Sequence, residues 1–217
     1  HMILFKKITR EFIFFIIFLP MTPNHVSAQK YLFYLHGKIV EDQGADAVSP
    51  YYGSYQYDAI LDAFRKEHFT VMSELRKPNT DVAGYARHVV KQVDSLIKGG
   101  VEAKNITVVG ASKGAVIAMY VSTFLKNKEV NFVFLAACND GNFEGFSDIQ
   151  FYGNILSIYE KSDDIGESCI RFKNKASTTI NHYKEMEINT GLQHGFLFRP
   201  LAEWMKPAIA WANGHYE

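Results

Sequence analysis

Three residue types that together carry out nucleophilic acyl chemistry stand at separate places in this chain, each just beyond a run of apolar residues. Ser112 lies in Val108-Val109-Gly110-Ala111-Ser112-Lys113-Gly114-Ala115, a G-x-S-x-G pattern between an apolar run and a helical one. A serine on so tight a strand-to-helix turn is pushed into a strained backbone conformation. Glycines two residues either side remove the Cβ atoms that would collide. The hydroxyl then stands clear above the sheet, and the following helix directs its positive end at charge developing there. The rival reading is an ordinary helix start with Ser112 as its N-cap.

A serine hydroxyl needs a base, and His194 in Gly191-Leu192-Gln193-His194-Gly195-Phe196 is the best-placed histidine. It follows the last expected strand on a glycine-flanked loop, from which an imidazole can reach a serine oxygen. His68 and His88 fall within or beside helical patterns, His182 precedes a strand, and His215 is near the chain end. An acid to orient that imidazole is available in Glu160-Lys161-Ser162-Asp163-Asp164. Asp163 is preferred over Asp164, although both follow the same strand and the choice stays open. Taken alone, Ser-Asp-Asp reads as a turn.

The elements that must position these residues alternate along the chain. Tyr31–Leu35, Phe69–Leu75, Ile106–Val109, Phe132–Ala137, Ile155–Tyr159 and Tyr183–Ile188 are short apolar or alternating runs expected to be strands. Between them come helical stripes: Ala59, Ile60, Ala63 and Phe64, then Tyr85, His88, Val89, Val93, Leu96 and Ile97 ending at Gly99-Gly100. Ala115–Leu125 and Leu201–Ala212 continue the series. Strands alternating with helices imply an α/β domain, with a mostly parallel sheet of about six strands flanked by helices on both faces. In such a sheet ligands bind beyond the carboxyl ends of the strands, where all three residues fall. Little chain separates Ala137 from Ile155, so no large cap domain is expected over the site.

In the order Ser, Asp, His, with His36-Gly37 after the first strand, residues 30–217 resemble the α/β-hydrolase superfamily. That resemblance implies Ser112 as nucleophile, Asp163 as orienting acid and His194 as base. It also implies an oxyanion hole formed by the backbone amides of Lys38 and Lys113, with no cofactor and a small-molecule acyl substrate. Glu160 stands where many relatives have glycine, and His36-Gly37-Lys38-Ile39 lacks the glycine run of one esterase group. The Lys38 side chain is therefore free to attract an anionic group, while His36 is expected to brace the oxyanion loop. In the tyrosine-rich stretch 49–57, Tyr51, Tyr52 and Tyr55 either rim a substrate cleft or pack the loop onto the domain.

Composition narrows the alternatives. The chain has 217 residues, 47% hydrophobic, and its 23 basic and 23 acidic residues cancel. No basic stripe supports nucleic-acid binding or adhesion to an anionic membrane. No G-x-x-x-x-G-K-[ST], G-x-G-x-x-G, His-Glu-x-x-His or Cys-x-x-Cys spacing is present, so phosphate-loop, dinucleotide and metal chemistry have no motif. Residues 1–28 read as a tag remnant (His1 before Met2) and a signal peptide. Lys6, Lys7 and Arg10 precede the apolar run Phe12–Leu19, and Val26-Ser27-Ala28 suits cleavage. The apolar run is too short to span a bilayer. The expectation is an exported protein, periplasmic or secreted, with residues 29–217 as one domain. Cys138 and Cys169 either pair in that setting or stay as two buried free thiols. Two other readings of the site remain, a binding protein on the same fold and an acyltransferase that uses an alcohol in place of water.

Overall fold

The computed structural model describes residues 28–176 and 178–217, so the expected signal segment lies, but for Ala28, outside the described residues. The order of elements is β1 (Lys30–Leu35), α1 (Lys38–Gln43), the short strands β2 (Val48–Ser49) and β3 (Gly53–Ser54), α2 (Tyr57–Lys66), β4 (Phe69–Met72) and α3 (Val82–Lys98). There follow β5 (Ile106–Ala111), α4 (Lys113–Leu125), β6 (Asn131–Leu135), α5 (Asp140–Gly145), β7 (Gly153–Glu160), α6 (Ile170–Lys175), β8 (Ile180–Ile188) and α7 (Ala202–Ala212). Six strands form one parallel sheet in the order β4-β1-β5-β6-β7-β8, and β2 and β3 pair antiparallel as a separate hairpin.

The period-two geometry of a strand divides the core into two layers. Leu32 and Tyr34, Val109 and Ala111, Val133 and Leu135, and Leu156 and Ile158 face one layer. There they pack under Ile60 and Phe64 of α2 and Trp204, Met205, Ala208 and Trp211 of α7. Phe33 and Leu35, Ile106 and Val108, and Phe132 and Phe134 face the other, against Val89 and Val93 of α3 and most of α4. The central strands are apolar on both faces because both faces are covered, which is why they read as continuous hydrophobic runs.

Several boundaries differ from expectation. β4 stops at Met72, not Leu75; at the next residue the Ser73 hydroxyl donates to the Tyr34 carbonyl of β1 at 2.6 Å, a side-chain bond at the point where the strand ladder ends. β8 begins at Ile180 and contains His182, which was expected ahead of it. An edge strand with one neighbour keeps polar side chains in solvent, so its apolar pattern starts later than the strand itself. β5 runs on through Gly110 and Ala111, and α4 starts at Lys113, leaving Ser112 alone at the junction. Residues 136–152 hold nothing larger than the six-residue α5, in keeping with the absence of a large cap among the described residues.

Candidate active site

Ser112 sits at the carboxyl end of β5 with φ 52° and ψ −120°, in the half of conformational space that L-residues avoid. Its neighbours make this possible. A Cβ at Gly114 would stand 1.9 Å from the Leu35 carbonyl oxygen, and one at Gly110 would stand 2.3 Å from the Gly114 carbonyl oxygen. The Ser112 amide donates to the Leu135 carbonyl at 2.9 Å, which holds the turn against β6. The Ser112 side chain makes no capping bond to α4. Its Oγ instead lies 2.9 Å from His194 Nε2.

His194 sits in a 3-10 turn, Gln193–Phe198, beyond β8. Its Nδ1 is 2.7 Å from Asp163 Oδ2, and the second oxygen of Asp163 accepts the Ile165 amide at 3.0 Å. Asp163 is buried and Asp164 exposed, so the turn after β7 directs the first of the two acids at the imidazole. With Asp163 bonded to Nδ1–H, the free lone pair of Nε2 faces the serine hydroxyl and is placed to take its proton.

The loop after β1 lies against the serine turn. A Cβ at Gly37 would be 3.6 Å from Ser112 Cβ, and the next amide, Lys38 N–H, opens α1. Lys113 N–H opens α4. First-turn amides have no carbonyl one turn earlier in their own helix to bond. The lysine side chains go elsewhere. Lys38 Nζ pairs with both oxygens of Asp42, at 2.7 and 2.6 Å, so its charge is engaged within α1. Lys113 Nζ reaches Glu41 Oε1 at 2.5 Å and the Thr80 carbonyl at 2.8 Å.

Glu41 belongs to a buried network beneath this loop. It accepts from Arg76 Nε at 3.1 Å, and Arg76 also donates through Nη2 to the His36 carbonyl. Burial would raise the Glu41 carboxyl, but Lys113 and Arg76 together hold it below the usual range. His36 Nε2 accepts the Arg76 amide at 3.1 Å, and its Nδ1 donates to the Gly37 carbonyl at 2.9 Å. A backbone N–H is always a donor, so Nε2 carries no proton and the ring is neutral. Burial, aided by the Arg76 charge, lowers His36 from 6.5 to about 4.

Glu160, the last residue of β7, stands where many α/β-hydrolases have glycine. Its carboxylate accepts from the Ser162 amide (2.6 Å) and hydroxyl (2.5 Å), and from the amides of Thr190 (2.8 Å) and Gly191 (3.0 Å). Burial acts to raise this carboxyl, and the four donors outweigh it, leaving it below the usual carboxylate range. Cys138 and Cys169 form a disulfide, which resolves the cysteine alternatives. The Glu167 amide also bonds the Cys138 carbonyl at 2.6 Å, so the acid loop is tied to the segment after β6.

Two apolar clefts meet at Ser112, Lys38 and Ile165. One, of about 270 Å³, passes His194 between Tyr52, Tyr55, Leu197 and Phe198. The other, of about 320 Å³, runs over Val116, Ala137, Asn142 and Phe146. Tyr52 lies on the border of the first cleft. Tyr55 lines its wall while buried against Tyr34, the two hydroxyls 2.5 Å apart. Tyr51 does not rim this cleft. It is 87% exposed and borders a separate recess, because the β2–β3 turn carries it outward. Leu197, Phe198 and Ile165 were not anticipated, since single apolar residues in loops carry no pattern.

Comparison with solved structures assigns the architecture. A truncated carbohydrate esterase from gut microbiota superposes with a TM-score of 0.60 at 12% identity, covering 89% of this chain and 88% of that one. A protein of unknown function from Agrobacterium tumefaciens, classed with the α/β hydrolases, gives 0.56 at 18% identity, over 87% and 88%. YbtT, a type II thioesterase of the yersiniabactin pathway, gives 0.51 at 8% identity, over 92% and 99%. No protein-family model matches the sequence, and no curated protein does. The chain has the α/β-hydrolase fold, with the serine, acid and histidine at its strand ends.

Proposed function

We propose that this protein is a serine hydrolase acting on a carboxylic ester of a small molecule. The observation that carries the reading is Ser112 at positive φ with its hydroxyl 2.9 Å from an imidazole that is itself bonded to a buried carboxylate at 2.7 Å. A helix N-cap would need none of this. Esterases and a thioesterase among the similar folds support hydrolysis over other uses of the architecture.

In the proposed reaction Ser112 Oγ attacks the ester carbonyl as its proton passes to His194 Nε2. The carbonyl oxygen becomes an oxyanion held by the amides of Lys38 and Lys113. Collapse breaks the bond to the leaving oxygen, which takes the proton from His194 and departs as the alcohol. Water then enters, gives a proton to His194, and attacks the acyl-serine to release the acid and regenerate Ser112. Asp163 keeps the imidazole in the tautomer this needs and stabilises its transient positive charge. No cofactor enters the scheme. The disulfide supports an exported protein, because such bonds persist in oxidising compartments. No helix among the described residues is long and apolar enough to cross a membrane.

The test is labelling by a serine-directed phosphonate together with hydrolysis of a short-chain aryl ester, comparing the native chain with Ser112→Ala. Labelling is expected to vanish in the variant and kcat to fall by roughly four orders of magnitude or more. Equal labelling of both proteins would rule out Ser112, and a folded, unreactive native protein would favour the binding-protein reading. Transfer of the acyl group to added alcohol in preference to water would identify an acyltransferase.

A further inference from the structure

We infer that the substrate carries a carboxylate on its leaving-group side, held by Arg199 in a recess behind Tyr52. The inference rests on the hydrolase reading above and specifies its substrate.

The two clefts at Ser112 are not equivalent. In acyl transfer the leaving oxygen must receive a proton from His194 Nε2, so it has to lie within hydrogen-bond reach of that nitrogen. Only one of the two clefts is bordered by His194, the one between Tyr52 and Phe198. The cleft over Val116 and Phe146 has no histidine and suits the acyl chain. The leaving group therefore points toward Tyr52.

On the far side of Tyr52 is a recess of about 240 Å³, bordered by Gln193, Gly195 and Arg199. The Tyr52 ring is the shared wall. It packs so closely on Gly195 that a Cβ there would stand 2.8 Å from the ring, and it meets Phe198 edge-on at 5.4 Å. A leaving group long enough to pass over the outer edge of this ring would reach the recess.

Arg199 is distinctive among the arginines of the described residues. Arg65, Arg76 and Arg171 each hold a carboxylate, and the Arg87 guanidinium lies 4.0 Å above the Phe124 ring. Arg199 has no ion pair among the described residues, and its buried Nε has no hydrogen-bond partner. Among the described residues, no acidic side chain borders the recess. A guanidinium that borders a recess and holds no carboxylate keeps its charge for an arriving anion. The planar fork of guanidinium matches a carboxylate in two parallel hydrogen bonds.

The experiment compares acetate esters of 4-hydroxybenzoate and 4-hydroxyphenylacetate with those of the corresponding neutral amides, in the native protein, Arg199→Gln and Arg199→Lys. The native protein is expected to favour the carboxylates by roughly tenfold in kcat/KM, mainly through KM. That ratio should fall toward one in Arg199→Gln, be partly kept in Arg199→Lys, and shrink as salt is raised. Equal rates on acid and amide by a native protein that hydrolyses both would overturn the subsite and leave the hydrolase reading intact. A carboxylate preference that survives in Arg199→Gln, or that appears only when the carboxylate is moved to the acyl side, would overturn it as well. A native protein that neither hydrolyses these esters nor reacts with the phosphonate would remove both readings together.

Discussion

Glu160, at the end of β7, holds the loop that carries His194 by accepting the backbone amides of Thr190 and Gly191 on one carboxylate oxygen, while the other oxygen holds Ser162. The acid loop and the histidine loop thus share one buried anchor, three residues before Asp163, whose amide partners Thr190 and Gly191 lie four and three residues before His194. Glu160→Ala should leave these amides unpaired and lower stability by about 2–3 kcal/mol. It should also lower kcat with little change in KM, because Glu160 lines neither of the two clefts at Ser112. Glu160→Gln, which keeps one acceptor, should recover part of the loss. Steady-state kinetics with urea unfolding of the three proteins tests this. Unchanged kcat in Glu160→Ala would refute the positioning role.

Two pH effects should be measurable in stability. Glu160 is held below its unfolded value, so its contribution is present above the ordinary glutamate range and is lost as pH falls through the folded value. His36 works over a different window. Its folded value of about 4 lies below the ordinary 6.5, so between these the unfolded chain binds a proton that the folded one does not. Unfolding free energy should therefore rise with pH from 4 to 6.5, by roughly 3 kcal/mol from this residue alone. His36→Gln should flatten that slope, read by denaturant titration at stepped pH. An unchanged slope would contradict the assignment of His36 as neutral and buried.

Reduction of the Cys138–Cys169 disulfide should act on stability and catalysis together. The bond closes a loop of 31 residues, for which chain entropy suggests about 3–4 kcal/mol. Asp163 lies within that loop, so a dithiol should lower both the melting temperature and the rate of ester hydrolysis. The double variant Cys138→Ser with Cys169→Ser should match the reduced native protein and ignore the dithiol. Full activity after verified reduction would show that the remaining contacts hold the acid loop unaided.

Glycines in similar settings by sequence should respond unequally to alanine. At Gly114 the new methyl would meet the Leu35 carbonyl oxygen, a backbone atom with little freedom to move. Gly114→Ala should cost at least about 3 kcal/mol and abolish phosphonate labelling. Gly145, where a methyl meets nothing within 4 Å, should accept alanine with less than about 0.5 kcal/mol of change. Equal effects at the two positions would argue against the serine turn as drawn.

Much of the architecture is legible because the central strands are covered on both faces and so appear as unbroken apolar runs. The junction at Ser112 is legible for a related reason: the glycines are needed where two backbones nearly touch. What escapes is set by three-dimensional partnership. Asp163 and Asp164 follow the same strand, and only the direction of the turn selects one. Cys138 and Cys169 would read alike whether bonded or buried as thiols. α1 is short and largely polar, and nothing in its composition shows that Glu41 and Lys113 meet below it. Arg199 next to Pro200 has no pattern at all, since its distinguishing property is that it holds no carboxylate among the described residues.

The bond from the Ser112 amide to the Leu135 carbonyl has a consequence for how the molecule forms. The serine turn leans on β6, a strand that emerges later in synthesis than the serine itself. Parallel pairing of this kind closes late, after an intervening helix has been placed. On the proposed role of Ser112, reactivity of its hydroxyl should therefore arise when the middle of the sheet is assembled, and not before. Covalent capture by a phosphonate during refolding would then act as a clock for that assembly, recording in each molecule the moment its central strands came together.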